Sequence, residues 1–251
     1  MMTELLNDIK LKKRIGLKGF SSVADGHAVL DELRWKGSKT GNCWTLAEWS
    51  SNRLLKDERF EEVLIGGGIR YRNKMKNVDV FPGEGKIALE VFGSKEYSRP
   101  RSAGEQWTHL LMEQWIPLSK QVPLYKLEKL TAQLLFEVDN CDMRMNAEDY
   151  DPTVHAAHIS WYFTVENSKS DIRDVEGRPD YMWFGLPLYD SRFKKIDGPQ
   201  VFMDSGTKRL IYGLKRDTFC SAEVETGKKY KVDIDILPQI KRAFVIAKER
   251  G

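Results

Sequence analysis

The 251-residue chain carries 40 basic against 37 acidic residues, a formal net charge of +3, with 41% hydrophobic and 31% charged residues. That balance argues against the basic footprint of a nucleic-acid binder. The apolar content supports a sizeable core, which at this length an all-β chain can form as a single domain spanning 1–251. Cys43, Cys141 and Cys220 are odd in number, widely spaced and without a CxxC pair, so neither a zinc site nor a disulfide framework is expected.

In chain order, the N-terminus MMTELLNDIKLKKR has scattered charges and no apolar h-region, so it does not read as a secretory signal. Cytoplasmic residence is the default expectation, though a removed signal would leave no trace. Thr3–Lys13 can form a short amphipathic helix through Leu5, Leu6, Ile9 and Leu11. Its basic run, Lys10, Lys12, Lys13 and Arg14, reads as a solvated face. A second helix is expected at Thr45–Asp57, with Leu46, Trp49 and Leu54 on one side. Gly66–Gly68 then breaks the chain but lacks the Lys-Ser/Thr of a phosphate loop.

From Ile69 onward the pattern changes to strands: IRYRNKM, IALEVFG, WTHLLMEQWIPL, TAQLLFEVD, HISWYFTVE, YMWFGLPLYD, KRLIYGLK and YKVDIDIL. The loops between them are long. A final helix is expected at Leu237–Glu249, with Pro238 in its first turn and Asp233 or Asp235 available as caps. No stretch approaches the ~20 apolar residues of a membrane span. The expected fold class is mainly β: an antiparallel two-sheet jelly-roll sandwich with a few peripheral α-helices.

In strand number, length and aromatic content, residues 67–237 resemble the concanavalin A-like jelly rolls of lectins and glucanases. Retaining glucanases of that superfamily carry Glu-x-Asp-x-Glu on one strand. The nearest stretch here is Glu137–Val138–Asp139–Asn140–Cys141, which has Cys141 in place of the second glutamate. The resemblance implies a carbohydrate ligand.

Strand alternation sorts side chains by face. Met182, Phe184, Leu186 and Leu188 read as core, as do Ile159, Trp161, Phe163 and Val165. Trp107, His109, Glu113 and Trp115 fall opposite Leu110 and Met112. Tyr162 and Trp183 fall opposite their own core faces, as do Arg70 and Arg72. If these strands share a sheet, Glu137, Asp139 and Glu113 join them on one face. Aromatic rings there would stack on sugars, while His109, Arg70 and Arg72 would bond hydroxyls.

Residues i and i+2 of a strand lie about 6.6 Å apart, from ~3.3 Å rise per residue. That spacing permits a glycosidase carboxyl pair without choosing its stereochemical course. The leading expectation is a glycoside hydrolase with Glu137 and Glu113 as acid/base and nucleophile and Asp139 tuning Glu137. Trp107, His109, Trp115, Tyr162, Trp183, Arg70 and Arg72 would bind substrate. A non-catalytic lectin-like module and a protein-interaction scaffold are the alternatives. No metal or cofactor and no nucleic-acid or membrane partner is expected: His155 and His158 in HAAH have metal-pair spacing only on a helix, and no G-x-S-x-G elbow occurs.

Overall fold

The computed structural model describes residues 3–19, 28–167, 179–204, 207–221 and 223–250. The chain is mainly β, as expected, with short helices between strands and one long helix at its end. Its contacts group into two compact units, Met1–Gln121 and Val122–Gly251. Among the described residues, no helix is long and apolar enough to cross a membrane.

The first unit holds two four-stranded sheets. One is ordered β2–β1–β3–β8, from β1 (Lys13–Gly19), β2 (Asp31–Leu33), β3 (Lys39–Glu48) and β8 (Leu111–Glu113). The other is the meander β4 (Phe60–Val63), β5 (Ile69–Arg72), β6 (Lys76–Phe81) and β7 (Lys86–Val91), followed by the single turn α1 (Gly93–Glu96). Alternation places Ile15, Leu17, Leu33, Leu46, Tyr71, Val78 and Val80 inward, and they close one apolar core.

Both helices expected near the N-terminus are absent. Within the first, Asp8 and Leu11 adopt φ of 49° and 50°, left-handed values that no continuous helix contains. The Asp8 carboxylate accepts the backbone N–H groups of Lys12 (2.8 Å) and Lys13 (2.8 Å), closing a turn. The second expectation, Thr45–Asp57, overlaps the end of β3. Leu46 and Ala47 are fully buried between β1 and β8, and Ser50 at φ 56° turns the chain immediately afterwards. Packing on both sides of β3 overrides the helical spacing of Leu46, Trp49 and Leu54.

In the second unit, β10 (His158–Glu166), β11 (Tyr181–Asp190), β12 (Gln200–Met203) and β13 (Leu210–Gly213) form a sheet ordered β10–β11–β13–β12. β9 (Thr131–Glu137) pairs with β14 (Lys229–Asp235) as a ribbon. α2 (Leu237–Arg250) forms where the sequence places it, its first turn bonded from Leu237 N–H to Asp235 Oδ1 at 3.1 Å. Ile240 and Ala243 of α2 join Phe184, Leu186, Tyr212 and Val232 in the core, with Trp161, Phe163 and Val165 packed against it. The pairing is not purely antiparallel: β1 runs parallel to β3, and β11 to β13. Each parallel pair is reached through an intervening antiparallel strand, β2 or β12, which alternation alone does not reveal.

Candidate functional site

The expected carboxylates Glu113 and Glu137 belong to two different sheets and two different units. Thr45 of β3 stands opposite Glu113, and Lys229 of β14 opposite Glu137. The premise of adjacent strands sharing one face is therefore not met. Glu113 accepts from Lys18 Nζ and, at 3.1 Å, from Thr45 Oγ1. Glu137 and Asp139 are exposed, and Glu137 shares an outward face of β9 with Gln133 and exposed Leu135.

Arg70 pairs with Asp79 through two 2.7 Å bonds, a cross-strand clasp within its own sheet. Arg72 is exposed nearby. The Arg101 guanidinium lies 4.0 Å over the Trp107 ring, and His109 sets its edge against Trp49. Trp115 is exposed. Tyr162 and Trp183 meet as an edge-on pair with centroids 6.0 Å apart.

Tyr162 belongs to a constellation that the sequence hides. A cavity of ≈ 310 Å³ is lined by His158, Ser160 and Tyr162 of β10, Tyr189 and Asp190 of β11, and Arg192 just beyond, with Gln200 and Phe202 of β12. Register explains its composition. Ile159 faces Tyr189 while Ser160 faces Pro187, so Leu188 is an extra residue, a β-bulge. Without the bulge, Asp190 would continue the core face of Leu186 and Leu188. With it, Asp190 sits directly opposite His158, and Tyr189 also reaches the cavity.

The bulge leaves the Leu188 carbonyl outside the regular ladder. The wholly buried Arg216 donates to it at 3.4 Å and also to the Lys194 carbonyl, tying the strand end to the following loop.

Asp190 is held from several directions. Arg192 donates to Oδ1 from its backbone N–H (2.9 Å) and Nε (2.9 Å) and to Oδ2 from Nη2 (2.7 Å), while His158 Nε2 stands 3.4 Å from Oδ2. Burial pushes the Asp190 carboxyl up, but Arg192 outweighs it, so the group lies below the usual carboxylate range. Burial pulls His158 below the ordinary imidazole value. Asp190 partly opposes that shift and Arg192 adds to it, so the ring is neutral at pH 7.

Tyr189 is pushed up to about 12 by burial and by its hydrogen bond with Cys141, and stays protonated. Tyr162 is likewise raised by burial, with a Ser160 hydrogen bond acting against it. Its ring lies across Gly185: a methyl group there would fall 2.6 Å from a ring carbon. Glycine is thus the residue that lets the tyrosine lie flat on the strand.

Chemically, the cavity offers two phenol rings, a neutral imidazole with one donor and one acceptor, an amide and a guanidinium–carboxylate pair locked in place. Among the described residues, no cluster of three or more His, Cys, Asp or Glu could hold a metal. His155 Nδ1 accepts from the Asp151 N–H at 2.9 Å, apart from the His158 arrangement. No family model, curated protein or solved structure matches the chain.

Proposed function

We propose that the protein is a carbohydrate-binding, lectin-like module whose ligand sits in the His158–Tyr162–Asp190–Arg192 cavity. The observation that carries this reading is the pairing of an exposed aromatic ring, Tyr162, with polar groups whose positions are already fixed. Sugars present an apolar ring face and a rim of hydroxyls, and they match such a surface. The face stacks on Tyr162, while His158, Gln200 and Arg192 bond the hydroxyls. Because Asp190 and Arg192 hold each other before any ligand arrives, little side-chain order is lost on binding. The cavity volume lies at the small end of ligand sites, suited to one or two sugar units.

Binding is favoured over hydrolysis by the carboxylate count. A glycosidase sets two carboxyl groups about 5–9.5 Å apart across the scissile bond. Asp190 is the lone acidic group among the described lining residues, and its ion pair with Arg192 keeps it charged and unsuited to donate a proton. The jelly-roll arrangement implied by the likeness to lectins belongs to the same proposal.

The test is a panel of neutral oligosaccharides screened for binding and for release of reducing ends. Binding without turnover is expected, with Tyr162→Ala and His158→Ala each lowering affinity at least tenfold. Turnover by the wild type would replace the reading with a hydrolase, and an empty panel would remove it.

A further inference from the structure

The first unit contains a second cavity, of ≈ 330 Å³, whose chemistry differs from the one above. Its lining includes Lys12, Lys36 and Lys39, the side of Trp35, and no acidic residue. Among the described residues, none of the three lysines has a carboxylate partner within ion-pair distance. All three lysines are exposed, and a concavity lined by like charges with no carboxylate among them attracts an anion.

The site is fixed by backbone rather than by side chains. Lys39 N–H donates to the Lys12 carbonyl at 2.9 Å, bringing two of the lysines side by side. Gly83 N–H donates to the Lys10 carbonyl at 2.7 Å, tying the turn after β6 to the same segment. At Gly85, φ is 75° and an added methyl would lie 2.2 Å from the Ile9 carbonyl oxygen, so only glycine permits this approach. Of the carboxylates near them in sequence, Asp8 accepts the Lys12 and Lys13 N–H groups and Glu32 pairs with Arg14 and Arg34. Trp35 packs its inner part on the unit's core and is partly exposed, a fixed apolar wall beside the cations.

We propose that this cavity binds an acidic saccharide, a uronate- or sulfate-bearing sugar. Its ring would rest on Trp35, and its oxyanion would sit among Lys12, Lys36 and Lys39. A small concave site suits one or two sugar units, whereas three cations on a chain of net charge +3 are a poor footprint for a nucleic acid. The inference rests on the first unit alone and stands or falls separately from the reading of the second.

The experiment titrates the full chain with trigalacturonate and a sulfated disaccharide, following the indole N–H resonance of Trp35, assigned through Trp35→Phe. Inorganic sulfate, an uncharged trisaccharide and a short single-stranded oligonucleotide serve as comparison probes. At least one acidic saccharide should shift the Trp35 signal, with affinity falling as salt rises. Lys12→Gln/Lys36→Gln/Lys39→Gln should weaken it at least tenfold at an unchanged melting temperature, and Trp35→Phe, which lacks the reporting indole and is followed by calorimetry, severalfold.

His158→Ala should leave this titration untouched. Equal affinity for the uncharged trisaccharide, or no loss in the triple variant, would overturn the proposal. So would inorganic sulfate or the oligonucleotide binding as tightly as the best saccharide, or no response to either acidic saccharide. Should the triple variant fail to fold, single Lys→Gln changes must each weaken binding at unchanged stability, or the proposal fails.

Discussion

Two charged networks, one in each unit, are built for different ends. In the first, Lys76 is wholly buried and donates to Glu48 (3.0 Å) and the Arg53 carbonyl (2.9 Å), with Glu96 at 3.7 Å. Glu48 also accepts the Leu55 N–H, and Glu96 accepts from Ser51 Oγ (2.6 Å) and the Asn52 N–H (2.8 Å). Every one of these partners belongs to the protein, and the charges are sealed from solvent. In the second, Asp190 and Arg192 are equally well paired, but their cluster borders a cavity beside an exposed tyrosine. Ionisable groups sealed by their own partners hold the fold, whereas the same chemistry left open on one side can meet a ligand.

The largest expected effect breaks the sealed network. Lys76→Met removes the cation between two buried carboxylates and should cost about 3–5 kcal/mol in thermal or denaturant unfolding. Glycan binding at the other cluster should survive at temperatures where the variant remains folded. A cost under 1 kcal/mol would show that the carboxylates relax to solvent.

Next comes the open network. Asp190→Ala strands Arg192 and His158, and should cost about 1.5–3 kcal/mol of stability, from lost charged hydrogen bonds. Glycan affinity should fall at least tenfold as well, read by calorimetry. Gly185→Ala follows: the methyl displaces the Tyr162 ring, costing about 1–3 kcal/mol by overpacking and weakening binding severalfold.

The two networks also differ in the sign of their response to pH. Burial raises the Glu48 carboxyl above its ordinary value despite Lys76, so its contribution to stability is present at low pH and is lost as pH rises through the folded value, above 4.5. His158 is depressed, so its folded-state advantage holds above pH 6.5 and is lost as pH falls towards its folded value. Asp190, also depressed, adds a further loss on acidification below 3.8. Imidazole resonances followed by NMR should place His158 below 6.5. Melting profiles of Glu48→Gln should close the gap to, or overtake, the wild type as pH rises from 4 to 8. The smallest effect is Glu137→Gln, which alters an exposed side chain and should stay within about 0.5 kcal/mol of the wild type with unchanged binding.

What the sequence disclosed follows the physics of each feature. Strands with one apolar face, such as β10 and β11, were legible because their alternation is maintained by a packed core, and α2 because Ile240, Phe244 and Ala247 recur at helical spacing. β3 was misread because its short apolar run fits a helix equally well until both neighbouring strands are known. Alternation places Tyr162 on the face of β10 that carries the cavity. Asp190 was not legible in this way, since simple alternation assigns it to the core and only the Leu188 bulge turns it outward. Arg192 lies beyond the strand, where period two has no meaning. That Glu113 and Glu137 belong to different sheets depends on long-range contacts that a local pattern does not contain.

The central claim is that the half-open network of the second unit holds a neutral sugar. Its most direct test is chemical-shift mapping of the full chain during titration with the best-binding neutral oligosaccharide from the panel. The account predicts perturbations centred on His158, Ser160, Tyr162 and Tyr189 that disappear in Asp190→Ala. Perturbations confined elsewhere, such as at Trp107 and Trp115, or persisting unchanged in that variant, would contradict it.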